Sequence, residues 1–464
     1  MNRYLLLLLI WPLLLGSLLA QSSPNLIYIM VDDLGWKDVG FMGSQYYQTP
    51  NLDQLASRSL VFDHGYAGAA NCAPSRAMLM SGQHPMRHGI YTVAHSDRGQ
   101  SQDRALIPTK NTLVLEDSML TFAEVLQEAG YRTGIFGKWH LGKDPATQGF
   151  DVVKAGTGRR NTHFAPFDLP GIEEEAGEYL TDRLAEEAVQ FMENRKEQPF
   201  FLYLPFFSIH TKLVGKPGTV DKYQGLPPVD GQGNNAEYAA MVEHVDDAVG
   251  RVMAALARLG LQENTLVVFC SDNGGIAYLS RQWPLRAGKG SYYEGGIRVP
   301  MLFHWPGKVP AGERTDVPIT FIDMFPTLTN LLGVEVPENK ALDGTDLSAT
   351  ILGEKTVAET QNRALFWHFP IYLEKYNGVG DDSRDALFRT RPGTVMRKGR
   401  WKLHEYFEDG GLELYDLAAD PGERINLATL LPEESAQLHA EMKAWREAHG
   451  APVPTERNPE YEGK

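Results

Sequence analysis

The sequence predicts an α/β protein: a large, mostly parallel central sheet flanked by helices, followed by a smaller C-terminal α+β domain built on an antiparallel sheet. Three observations carry this reading. The runs Asn25–Val31 (NLIYIMV), 199–207 and 265–270 (TLVVFC) are continuously apolar, the pattern of strands covered on both faces in a parallel sheet. They alternate with segments of helical period, as α/β folds require. Beyond about residue 340 the helical period thins, and 394–406 and 412–417 read as antiparallel strands around the turn-rich Glu408-Asp409-Gly410-Gly411. The organisation expected is a leader at 1–20, a large α/β domain at 21–340 and a C-terminal α+β subdomain at 341–464.

In chain order, Arg3 opens a short positive region, and residues 5–15 form an apolar run containing Ile10, Trp11 and Pro12. Gly16, Ser17 and Ala20 then give a small-residue exit into Gln21-Ser22-Ser23. This is the pattern of a cleavable signal peptide. The run is shorter than the about 20 apolar residues of a membrane span. No cysteine follows it, and no later apolar run is long enough to span. The mature chain is expected to be periplasmic or secreted, with no membrane anchor after cleavage. Thr49-Pro50 reads as an N-cap with proline at the first helical position. Thr121 with Glu124 is a capping box whose helix stops at Gly130, and 131–136 is the next strand. Residues 236–259 carry Tyr238, Met241, Val242, Val245, Val249, Val252 and Leu256 at helical spacing and end at Gly260. Pro432–His449 reads as a closing helix.

Lys and Arg number 44 against 59 Asp and Glu, a net charge of −15. That balance disfavours nucleic acid, whose binding rests on neutralising phosphates. It also looks poorly suited to any anionic substrate. Two cysteines exclude a disulfide-dense scaffold or a Cys-rich zinc module. In an exported protein only Cys72 with Cys270 could form a disulfide.

The polar residues at strand ends are where α/β sheets place their sites. Asp32-Asp33 closes the first strand, and Asp272-Asn273 follows 265–270. Two such oxygen pairs gathered into one crevice suit a hard divalent cation, Ca²⁺ or Mg²⁺. Cys72 lies in Asn71-Cys72-Ala73-Pro74-Ser75-Arg76. Pro74 in a first helical turn would set Cys72 beside a helix N-terminus, a position that favours anions and thiolates. Cys270, inside an apolar strand, reads as core. Lys138 and His140 leave another strand, and their spacing of two puts them on one face if the segment is extended. His210 follows 199–207, and Lys289 stands between Gly288 and Gly290.

Taken together, these residues resemble the sulfatase family of the alkaline-phosphatase superfamily. Cys72-Ala73-Pro74-Ser75-Arg76 matches its Cys-x-Pro-Ser-Arg signature, and the segment from Gly130 to His140 matches its second, which ends in Gly-Lys-Trp-His. The likeness extends from about residue 24 to 430 and includes Leu414-Tyr415-Asp416-Leu417 in the smaller domain. It implies that Cys72 is oxidised to formylglycine by a formylglycine-generating maturation enzyme, and that one hydroxyl of the hydrated aldehyde attacks sulfur. It further implies that Asp32, Asp33, Asp272, Asn273 and residue 72 ligate Ca²⁺, with Mg²⁺ the alternative. Arg76 would then orient the nucleophile, Lys138, Lys289 and His210 would contact the sulfate, and His210 would protonate the leaving oxygen. His140 would take the proton whose loss expels sulfate and regenerates the aldehyde.

The expected substrate is a sulfated polysaccharide or oligosaccharide, with sugar subsites sought in 95–110 and 371–391, where Arg98 and Arg384 lie. The alternatives are a phosphonate monoester or phosphodiester hydrolase of the same superfamily, or a non-catalytic sulfoglycan-binding protein if Cys72 stays unmodified.

Overall fold

The computed structural model describes residues 23–156, 163–167, 169–195, 197–354, 358–376 and 380–463. The expected leader at 1–20 lies outside them. Eight strands form the main sheet: β1 (Asn25–Val31), β2 (Leu60–Phe62), β3 (Arg132–Lys138), β4 (Val152–Gly156), β5 (Phe200–Pro205), β6 (Thr265–Ser271), β7 (Met301–His304) and β8 (Glu313–Thr315). Their order is β4-β3-β5-β1-β6-β7-β2-β8. Only β7 runs against its neighbours, so the sheet is mostly parallel, as expected.

β1 at the centre shows why its run is unbroken. Ile27, Ile29 and Val31 enter one hydrophobic cluster, while Leu26, Tyr28 and Met30 enter another on the opposite face. Period-two alternation sends every residue from Leu26 to Val31 into apolar surroundings, so no polar position is left among them. The first cluster is covered by α4 (Leu180–Arg195) and α5 (Ala236–Arg258). The second is covered by α2 (Cys72–Ser81), α3 (Phe122–Glu128) and α6 (Phe321–Leu332).

The capping box on α3 forms as read, with Thr121 accepting from the Glu124 amide and Glu124 from the Thr121 amide. All seven periodic residues of α5 are buried, Asn235 caps it through the Tyr238 amide, and Gly260 follows at φ 70°. The cap of α1 (Pro50–Ala56) differs from expectation. The Thr49 hydroxyl accepts from Gly40 N (2.7 Å) and donates to Asp53 (3.1 Å) instead of capping. The first-turn amides of Asn51 and Leu52 donate to Asp246, buried on α5 (3.1 and 2.7 Å).

The C-terminal sheet is β9 (Ala364–Phe369), β10 (Gly393–Lys398), β11 (Trp401–Tyr406) and β12 (Leu412–Asp416), antiparallel throughout. The run 394–406 is therefore two strands, turned at Gly399, whose φ is 55°. α7 (Pro432–His449) packs Leu438 and Met442 onto Met396, Leu403 and Leu414. Against the catalytic body, Phe369 stacks on Tyr292 at 3.8 Å. Among the described residues, no helix is long and apolar enough to cross a membrane. Cys72 and Cys270 are both free and buried.

Candidate active site

Strands β3, β5, β1 and β6 are parallel neighbours, so their carboxyl ends open onto one edge of the sheet. Asp32-Asp33 leaves β1, Lys138 closes β3, His210 follows β5 and Asp272-Asn273 leaves β6. Cys72 is the first residue of α2 and meets them from the side. The ligand atoms of Asp32, Asp33, Cys72 and Asp272 all lie within 4.8 Å of one another. Among the described residues no other group of three or more acidic, His or Cys side chains is this close.

Asp33 takes φ 64°, a left-handed conformation that aspartate tolerates. Its amide donates to Asp272 Oδ1 (3.2 Å), and its carbonyl accepts from the Tyr238 hydroxyl (3.2 Å). Cys72 Sγ lies 3.3 Å from Asp32 Oδ1 and 3.9 Å from Asp33 Oδ1. Arg76, one turn along α2, donates from Nε and Nη2 to Asp272 Oδ2 (2.9 and 2.8 Å) and from Nη1 to the Lys138 carbonyl (2.7 Å). Lys138 Nζ bonds Asp32, and Lys289 Nζ bonds Asp33 at 2.7 Å. His210 Nε2 stands 3.9 Å from Asp33 Oδ2, and its Nδ1 is 2.6 Å from the Thr211 carbonyl.

Three carboxylates thus face three cationic side chains in a buried cluster. Lys138, His210 and Arg76 overcome the burial that would raise Asp32 and hold its carboxyl well below the usual range. Asp272 is pushed up to about 6 by burial and by the like charge of Asp32. Burial, then Asp272 and Asp32, push the Cys72 thiol far up. This reverses the expectation from its helix N-terminus: burial, with Asp272 and Asp32, outweighs the helix dipole and favours the neutral thiol in an unmodified Cys72. Burial, with Lys138 and Arg76 nearby, drives His140 down to about 2. Burial and Lys289 lower His210.

The expected pairing of Lys138 with His140 on one extended face fails. His140 has φ 64°, so the chain turns out of the strand after Lys138: Lys138 reaches the site from the end of β3, and His140 stands near its charges on the turn that follows. The stretches 95–110 and 371–391 do meet, through a bridge between Asp97 and Tyr372. Their arginines are engaged, however: Arg98 with Glu374, and Arg384 with Asp409. Residues not foreseen are Arg389, which donates to the Lys289 carbonyl (3.1 Å), and Tyr376, whose ring lies 4.0 Å from the Arg389 guanidinium. The only sequence signal for them was the Arg- and aromatic-rich composition of 371–391.

The donor set fits a hard cation. Asp32, Asp33 and Asp272 supply carboxylate oxygens, and Asn273, fully buried, gives its Nδ2 to Asp33 (2.8 Å) while Oδ1 has no hydrogen-bond partner. An orphaned buried carbonyl beside carboxylates is an unmet acceptor that an oxygen-seeking cation satisfies.

The family described as Sulfatase matches residues 24–334, and the family described as N-sulphoglucosamine sulphohydrolase, C-terminal, matches 288–448. A sulfatase of Formosa agariphila is 32% identical, with 96% of this chain and 93% of that protein covered. The N-acetylgalactosamine-6-sulfatase of Homo sapiens is 32% identical over 89% of this chain and 83% of its own length. The crystal structure of Ps i-CgsB superposes with a TM-score of 0.73 at 32% identity, covering 91% of this chain and 93% of that one. The same protein has been solved in complex with k-i-k-neocarrahexaose. The phosphonate monoester hydrolase of Agrobacterium radiobacter, at 22% identity and TM-score 0.66, shares the fold. Since the family match spans the strand ends that carry every buried carboxylate and cation of the site, this chain belongs to the sulfatase family and is a sulfuric ester hydrolase.

Proposed function

We propose that the protein is an exported sulfatase that hydrolyses sulfate esters of a polysaccharide or oligosaccharide, using formylglycine made from Cys72 by a maturation enzyme. The observation that carries this reading is the burial of Cys72 Sγ 3.3 Å from Asp32, within a cluster of three carboxylates, two lysines and an arginine. Export rests on the leader pattern at 1–20. The carbohydrate substrate rests on relatives named for, or solved with, sugars.

Asp32, Asp33, Asp272, Asn273 and residue 72 would hold Ca²⁺, with Mg²⁺ the alternative. When bound, the ion supplies positive charge that polarises a sulfate oxygen and lowers the pKa of a hydroxyl on residue 72. The remaining roles belong to this chain's side chains. Lys138 and Lys289 supply fixed positive charge where negative charge grows as sulfur is attacked. Arg76, held by Asp272 and the Lys138 carbonyl, orients residue 72 and ties it to β3. With His210 Nδ1 placed to donate to the Thr211 carbonyl, Nε2 gives a proton to the leaving oxygen when the ring is in its doubly protonated form, which the negative charge of a bound sulfate ester favours against burial and Lys289. His140 takes the proton that completes the cycle.

The test is mass spectrometry of the peptide containing residue 72, from a host with a formylglycine-generating enzyme, together with turnover of an aryl sulfate, an aryl phosphodiester and a panel of sulfated sugars. An unmodified cysteine with full activity in Cys72→Ala refutes the mechanism. Preference for the phosphodiester selects the phosphonate or phosphodiester hydrolase alternative. Absence of sugar turnover beside active aryl sulfate refutes the substrate class.

A further inference from the structure

We propose that Arg389 and Lys402, both outside the catalytic sheet, are positioning residues that clamp the loop carrying Lys289. This rests on the reading of Lys289 as a sulfate contact. The loop is held from two sides. On one, its backbone packs against the segment following Asp272: the Gly274 amide donates to the Gly296 carbonyl (2.9 Å) and the Lys289 amide to the Gly275 carbonyl (2.9 Å). A Cβ on Gly274 would sit 1.9 Å from the Gly295 oxygen. On the other side lie two clamps from the C-terminal part of the chain.

The first clamp is at Lys289 itself. Arg389 Nη1 donates to its carbonyl (3.1 Å), Nε donates to the Glu374 carbonyl (2.9 Å), and the guanidinium stacks 4.0 Å from the Tyr376 ring. Gly290, next in the chain, has φ 89°, and a Cβ there would fall 2.7 Å from Arg389 Nη1. The glycine therefore leaves room for Arg389, and for Leu373 Cδ2, which a Cβ would meet at 2.8 Å.

The second clamp is at Glu294. Its carboxylate pairs with Lys402 Nζ (2.9 Å), and Lys402 pairs with Glu423 (3.0 Å), whose other oxygen accepts from the Glu294 amide (2.5 Å). All three side chains are fully buried. A buried ion pair adds little stability over an apolar replacement, so stability alone does not account for it. Its geometric effect is to tie β11 to the backbone five residues beyond Lys289. A displacement of about 1 Å at a positioned catalytic group costs on the order of 10²-fold in rate. That is the scale on which these clamps act.

The experiment is a set of double-mutant cycles on the holoenzyme: Arg389→Lys and Lys402→Met, each alone and combined with Lys289→Ala. The readouts are kcat and KM on an aryl sulfate, alongside Tm. Arg389→Lys keeps the charge but cannot make two hydrogen bonds and a stack at once. The expected result is a loss of about 10-fold or more in kcat/KM for each single variant, and less than about 2-fold further loss in the Lys289→Ala background. Losses that multiply with that of Lys289→Ala overturn the proposal, because a merely structural role acts whether or not Lys289 is present. Single variants within about 2-fold of wild type also overturn it. If Lys402→Met does not fold, the Arg389→Lys cycle alone decides. If Lys289→Ala keeps full activity, the reading of Lys289 fails, and this proposal fails with it for a distinguishable reason.

Discussion

Replacing Arg76 with lysine should cost about two orders of magnitude in kcat/KM while leaving the protein folded. The guanidinium makes three hydrogen bonds from a 1% exposed position, two to Asp272 Oδ2 and one to the Lys138 carbonyl. An ammonium is a single point and satisfies one of the two acceptors, so two contacts are lost. Hydrogen bonds involving a charged group contribute about 1.5–3 kcal/mol each, so the low end gives about 3 kcal/mol. At 1.36 kcal/mol per tenfold, that is about 10². The charge stays, so Asp272 is not stranded. Arg76→Ala, which does strand it, should lose about 3–5 kcal/mol and serves as reference. The assay is turnover of an aryl sulfate with Tm, on samples whose residue 72 is shown by mass spectrometry to be in the same state. Activity of the lysine variant within about threefold of wild type would refute the claim that the fork holds β3 and Asp272 in register.

Other perturbations test other parts of the structure. Chelation with EGTA should abolish turnover and lower Tm without unfolding the protein, since three carboxylates already face three cations. Ca²⁺ at about 100 times its Kd should restore about 2.7 kcal/mol of stability, and an unchanged Tm would count against the site. Gly274→Ala places a Cβ 1.9 Å from the Gly295 backbone oxygen. It should destabilise by about 1–3 kcal/mol and reduce turnover, read by Tm and kcat. Asp246 is held up at about 6 by burial, so the folded state binds its proton more tightly than the unfolded chain does. That contribution to stability is complete below the unfolded value near 3.9 and is lost as pH rises through about 6. Tm of Asp246→Asn relative to wild type should therefore rise between pH 4 and about 7, by up to about 3 kcal/mol in equivalent stability. A constant difference would contradict the burial argument.

The site was legible because its chemistry is concentrated in short segments. Asp32-Asp33 and Asp272-Asn273 are adjacent pairs, and each follows an apolar run whose end is visible in the sequence. Cys72 and Arg76 lie on one helical turn. Arg389 and Lys402 were not legible, because neither is near the site in the chain and each acts through a backbone carbonyl or a buried carboxylate. The cap of α1 was misread for the same reason: Thr49-Pro50 has the right local chemistry, but Asp246 from a distant helix supplies the acceptor. At Gly399, one glycine at φ 55° separates two strands, and the continuous 394–406 pattern concealed the turn.

The net charge of −15 and the local sign of the site belong to different levels of description. The sequence by itself determined the sheet, because both faces of each central strand must be apolar, and determined which residues could carry chemistry. Only the tertiary structure decided that three carboxylates and three cations share one buried cluster, and that burial, with Asp272 and Asp32, raises the Cys72 thiol where its helix terminus would lower it. Coulomb energies depend on separations through space and on exclusion of water, and neither is written in the order of the residues.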